Sequence, residues 1–190
     1  MYAGTMTALP KPKPVSVPEF LSWAEKQEGR FELHDGVIVA MAPERVGHVH
    51  AKRKIANALE AAIEKAGLPC QAFVDGLGVQ VDEWTSYSPD ALVNCGERLL
   101  PDAMLAPAPA IVVEVLSPSS QGQDRVRKLF DYFRLPTLAH YLTVDLKLRR
   151  IGHHWRSPDG TLAAAIVSGE SLLLDPPGLR LSLTGLFDEA

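Results

Sequence analysis

Residues 111–116 read IVVEVL, a continuous apolar run interrupted only by Glu114. A bulky, largely β-branched run of this kind is what the central strand of a sheet looks like. A carboxylate inside such a strand is costly to bury alone. Glu114 must therefore be paired, protonated or bound to a metal, unless it stands at a sheet end and is satisfied by backbone.

The flanking sequence supplies the rest of a mixed fold. Ser16, followed three residues later by Glu19, forms a capping box before Phe20, Leu21 and Ala24 and predicts a helix ending near Gly29. RFELHDGVIVAMA reads as a β-hairpin turning at Asp35-Gly36. From about Val49 to Ala66, Ile55, Ala58, Leu59, Ala62 and Ile63 recur at helical spacing, and Gly67 closes that helix. Lys52, Arg53 and Lys54 near its start read as a solvated face. Short strands at 71–74, 79–81 and 91–93 precede the central run. A helix is expected over Asp124–Arg134, with Val126, Leu129, Phe130 and Phe133 as its buried stripe. Residues 141–144 and 148–155 form a second hairpin, and weaker strand signals follow at 163–167, 171–174 and in the closing LRLSLTGLF. The class is α/β (α+β): one domain over 16–190 with a mixed sheet and helices beside it, after a flexible Lys-Pro lead-in over 1–15.

Composition narrows the function classes. With 190 residues, 46% hydrophobic and 22% charged, the chain can bury its own core, which excludes collagen, coiled coil and wholesale disorder. No apolar run approaches the ~20 residues of a membrane span. A net charge of −4 argues against coating nucleic acid through bulk charge but leaves room for a local basic surface. Cys70 and Cys95 form neither a CxxC nor a framework, so reduced thiols and a cytoplasmic setting are expected. The N-terminus lacks a basic region followed by an apolar core, so it does not read as a secretory signal.

Asp90 gives Glu114 a partner. It follows Pro89, opens the strand at 91–93, and stands 24 residues before Glu114, enough for two neighbouring strands and a loop. Two carboxylates meeting there make a hard oxygen site suited to Mg²⁺ or Mn²⁺. Asp124, Lys128 and Tyr132 fall on one helical stripe, where Asp124 and Lys128 by themselves read as an exposed ion pair. His48 reads as a capping or surface histidine. His153-His154 lie beside Arg149, Arg150 and Arg156, but adjacent strand histidines face opposite ways and cannot share an ion. Ser117 and Ser119 lack a G-x-S-x-G elbow and read as turn caps. No HExxH or cysteine set suggests zinc.

Taken in order, SPDALV, IVVEVLSPSS, DRVRKLFDYF and HYLTVD resemble the Uma-type restriction endonucleases of the PD-(D/E)XK nuclease superfamily. PEFLSWAEKQEGRFELHDGVIVAMAPERVGHVH is similar to the family's opening helix, hairpin and following histidine, here His48. The resemblance runs from about Pro18 to Trp155. It implies a restriction-endonuclease-like mixed central sheet flanked by helices, and Mg²⁺- or Mn²⁺-dependent hydrolysis of DNA, with a homodimer plausible for cutting two strands. Asp90 and Glu114 match the metal-binding acids, with the Val115 carbonyl as a further ligand, and Glu32 matches an accessory acid. The superfamily's lysine would stand at Leu116; the resemblance implies that Lys128 on the next helix takes its role. LPTLAHYLTVD departs from a GVPEYWIVD-like segment at Pro136, Thr137 and Leu142. The rival reading is a catalytically silent module that binds protein or nucleic acid.

Overall fold

The computed structural model describes residues 13–117 and 122–188; most of the expected lead-in, and Ser119, lie outside them. Among the described residues, three helices, α1 (Val17–Ala24), α2 (Val46–Ala66) and α3 (Gly122–Tyr132), accompany twelve strands. These are β1 (Phe31–His34), β2 (Val37–Ala40), β3 (Cys70–Val74), β4 (Val79–Asp82), β5 (Thr85–Tyr87), β6 (Ala91–Cys95), β7 (Pro109–Val115), β8 (His140–Asp145), β9 (Arg150–Arg156), β10 (Leu162–Val167), β11 (Ser171–Leu174) and β12 (Leu179–Ser182).

Six strands form the main sheet in the order β10-β9-β8-β7-β6-β3. Only the β7–β8 pair in it is parallel, and α3 lies on the crossover between them. A smaller sheet runs β2-β1-β5-β4, and β11 pairs with β12 alone. β5 has three residues and carries no alternation of its own, so the sequence pattern passes over it.

The central run behaves as its composition requires. Ile111, Val113 and Val115 turn toward α2, where they pack with Ile55, Leu59 and Ile63 and with the β11–β12 hairpin. Val112 lies in the opposite core, with Tyr132 and Phe133 at the end of α3, Tyr87 of β5 and Tyr141 of β8. Glu114 has the parity of Val112 and projects into this second layer.

Local chemistry sets the element ends. The Glu19 carboxylate accepts the Ser16 backbone N–H at 2.9 Å, completing the expected capping box of α1. Asp35 and Gly36 both adopt positive φ, 48° and 77°, which fits the two-residue hairpin turn. A Cβ at Gly36 would also collide with Pro14, so glycine is required there twice over. Gly67 ends α2 in the left-handed conformation.

Three expectations are corrected. The buried side of α3 is not the Val126–Phe130 side: Val126 is 54% and Phe130 61% exposed, whereas Lys128 and Tyr132 are buried with Phe133. The two acids that Lys128 neutralises, Glu32 and Glu114, lie beneath the helix and draw its polar stripe inward. Lys52 is not on a solvated face; it is completely buried, paired with acids from two loops. Finally, Cys70 and Cys95 are not free thiols. The β3–β6 register sets them opposite each other, and they form a disulfide.

Candidate active site

Ala91 of β6 pairs with Val113 of β7 in antiparallel register. Extending that register one step sets Asp90 opposite Glu114, and the Asp90 charge acts on the Glu114 carboxyl. The two acids are therefore neighbours because adjacent strands carry them. The Val115 N–H donates to Asp90 Oδ2 at 2.6 Å, and His48 Nε2 donates to the same oxygen at 3.2 Å. His48 is thus a site residue delivered by the first turn of α2.

The other half of the site is a clamp around Lys128. Its ammonium donates to Glu32 Oε1 at 2.9 Å and to Glu114 Oε1 at 3.2 Å. The Tyr132 hydroxyl, one turn further along α3, donates to Glu114 Oε1 at 3.1 Å. Glu32 is completed by the Ser88 N–H at 3.0 Å and by His34 Nε2 at 2.9 Å. Glu32 arrives from β1 of the small sheet, Glu114 from β7 of the main sheet and Lys128 from the crossover helix. All four side chains singled out in the sequence, Asp90, Glu114, Lys128 and Glu32, lie in one place, and Val115 touches it through its backbone.

The two glutamates sharing Lys128 differ in charge state. Burial pushes the Glu114 carboxyl up to about 7; Lys128 opposes this, while the nearby Asp90 and Glu32 charges add to it. Burial also acts against ionised Glu32, but His34, Lys128 and the Ser88 N–H outweigh it and hold that carboxyl at about 2. Lys128 is buried too, yet the Glu114 and Glu32 charges raise it well above the usual lysine range. It is a fixed cation at neutral pH, able to stabilise negative charge and unable to act as a base.

The site extends past what the sequence indicated. Glu44, His48 and Asp90 hold possible ligand atoms within 4.8 Å of one another. Arg30, Lys52 and Asp75 surround them. His48 and Lys52 share a helix face at i, i+4 spacing, which was the available signal; Glu44 and Asp75 come from loops and carried none. His153 does not join the site. It hydrogen-bonds His140 at 2.9 Å on the β8–β9 pair, and His154 lies by Tyr141, so the two histidines do diverge.

The Asp90–Glu114 carboxylate pair is a hard oxygen donor set that fits Mg²⁺ or Mn²⁺. A family model described as "Uma2: Putative restriction endonuclease" matches residues 17–185. The chain belongs to this family. It is similar to the uncharacterized protein slr1290 of Synechocystis, 32% identical over 156 residues, covering 80% of this chain and 78% of that protein. The uncharacterized protein sll1609 of the same organism is 26% identical over 162 residues, covering 84% and 90%. The fold matches a crystal structure from Anabaena variabilis titled as "a putative nuclease belonging to DUF820", with a TM-score of 0.70 and 18% identity over 92% of this chain and 98% of that one. The restriction-endonuclease-like architecture expected of a Uma2 member is therefore the one this chain adopts. Among the described residues, no helix is long and apolar enough to cross a membrane.

Proposed function

We propose that this Uma2 member hydrolyses DNA phosphodiester bonds with Mg²⁺ or Mn²⁺ held by Asp90, Glu114 and the Val115 carbonyl. The observation that carries the reading is the Lys128 clamp. A protonated lysine, 7% exposed, is fixed by hydrogen bonds to Glu32 and Glu114 beside the register-paired Asp90. A bound divalent cation supplies charge neutralisation at the phosphate and makes water more acidic.

The chain's own groups do the rest. Lys128 presents a desolvated ammonium to the charge that develops on the phosphoryl oxygens, and its preorganisation removes the need to reorient at that moment. Glu32 stays anionic and anchors Lys128 rather than exchanging protons. Tyr132 and Lys128 together fix the Glu114 rotamer through one oxygen. His48 and the Val115 N–H fix Asp90 in the same way. A homodimer would set one such site on each strand of a duplex.

The test is cleavage of supercoiled plasmid and of single-stranded DNA by purified chain in Mg²⁺ or Mn²⁺, with EDTA as control. EDTA-sensitive cleavage that disappears in Asp90→Asn is expected. DNA binding without cleavage in either metal would move the chain to the silent-module reading.

A further inference from the structure

Lys52 has no part in the mechanism above, yet it is only 1% exposed. An ammonium is buried this deeply only when acids surround it. Its partners come from separate segments: Glu44 Oε2 at 2.5 Å from the loop before α2, Asp75 Oδ2 at 2.6 Å from the turn after β3, and Asp90 Oδ1 at 3.7 Å. Arg30 closes the ring from the other side, binding Glu44 Oε1 and, at 2.6 Å, Asp75 Oδ1. Both oxygens of Glu44 and both oxygens of Asp75 thus face a cation that belongs to the chain.

This arrangement bears on how many metal ions the site can take. Glu44, His48 and Asp90 are close enough to ligate an ion together. An ion there would share Glu44 Oε2 with the Lys52 ammonium, which lies 2.5 Å from that oxygen. Held by one oxygen, with little water between them, a dication and an ammonium repel strongly. By contrast, Lys52 stands 3.7 Å from Asp90 Oδ1, beyond hydrogen-bonding distance. The Asp90–Glu114 side of the site is therefore the side less occupied by Lys52.

We propose that Lys52, braced by Arg30, is a built-in counter-ion that closes the Glu44–His48–Asp90 triplet to a second divalent cation and makes this a one-ion centre. The inference rests on the cation-dependent reading above, with the single ion on the Asp90–Glu114 side. Deleting the lysine charge leaves Glu44, Asp75 and Asp90 with a deficit that a dication can fill.

The experiment is Mn²⁺ binding to the full chain, followed by equilibrium dialysis and by the paramagnetic resonance of free Mn²⁺. Wild type should bind one ion and Lys52→Gln two. In EDTA, Lys52→Gln should melt below wild type, and Mn²⁺ should raise its midpoint by more than it raises that of wild type. The double variant Lys52→Gln/Glu44→Gln removes an acid together with the lysine, so it should fold without metal and bind one ion again. Two ions in wild type would overturn the inference. So would one ion in Lys52→Gln with a midpoint gain equal to that of wild type; in both cases the cation-dependent reading survives. No bound ion in wild type or in either variant would instead sink the cation-dependent reading, and the inference with it.

Discussion

Lys128→Met removes one ammonium from between two buried carboxylates and leaves the helix otherwise intact. Stranding a buried charge by deleting its partner costs ~3–5 kcal/mol if the charge persists. Glu32 has no escape, because His34 and the Ser88 N–H continue to hold it as an anion. Glu114 can escape by taking a proton. Its carboxyl already titrates near 7 with Lys128 in place, and Lys128 is the group holding it down, so deletion moves that titration higher. The sign follows from linkage. A folded-state pKa above the unfolded value gives stability that is complete below about 4.5 and is lost as pH rises through the folded value. Keeping the acid ionised below its new pKa costs ~1.4 kcal/mol per pH unit. At pH 6 Glu114 is protonated in both proteins, and the substitution should cost about 3 kcal/mol, mainly through Glu32. By pH 8.5 the cost should approach about 5 kcal/mol. Urea denaturation in EDTA at the two pH values measures this directly. A loss under about 1 kcal/mol that is equal at both pH values would show that Lys128 is not the shared counter-ion described above. If Lys128 also stabilises the transition state, turnover should fall by roughly 10²-fold or more while Mn²⁺ binding persists.

Other elements make separate predictions. The His153 ring is held neutral by burial and by His140, with its pKa lowered to about 4, so unfolding is favoured by acid: the thermal midpoint should fall as pH drops from 6.5 toward 4, and His153→Gln should flatten that slope. The Cys70–Cys95 bond closes a loop with a sequence separation of 25, so reduction by dithiothreitol should lower stability by about 3 kcal/mol in a urea titration, and Cys95→Ser should make the protein insensitive to the reductant. On α3, Phe130→Ala should change stability by less than about 0.5 kcal/mol because the ring is exposed, whereas Tyr132→Ala should cost about 3 kcal/mol or more. Equal costs at the two positions would restore the Val126–Phe130 side as the packed one.

Sequence periodicity located most elements because each depends on a short-range rule. The capping box at Ser16, the Asp-Gly turn and the left-handed Gly67 act within a few residues. The carboxylate in IVVEVL was legible for the same reason, since parity alone sends Glu114 into a covered layer. What escaped were features set by distant partners. Lys52 looks solvated on its own helix, and only the folding of Glu44 and Asp75 onto it makes a buried ammonium affordable. Cys70 and Cys95 become partners only through the β3–β6 register. On α3, apolar periodicity pointed to the wrong side because acids, rather than aliphatic side chains, lie beneath part of the helix. Hydrophobic periodicity finds the core-facing stripe only where the facing surface is apolar.

That exception also accounts for how a lysine on a different element can serve this site. Leu116 shares the parity of Glu114 but lies just past β7, where its N–H is still engaged by the Val144 carbonyl at 2.8 Å. A side chain there is tied to the strand and has one direction of approach. Lys128 comes from the crossover helix, 14 residues beyond Glu114, and reaches the same carboxylate from above. From that position it also meets Glu32 of the smaller sheet, joining the two sheets through one ammonium. The clamp therefore depends on tertiary packing on both sides. In the proposed mechanism the charge facing the phosphate is positioned only when α3 and the small sheet are docked, so loosening either should weaken turnover before it affects metal binding at Asp90.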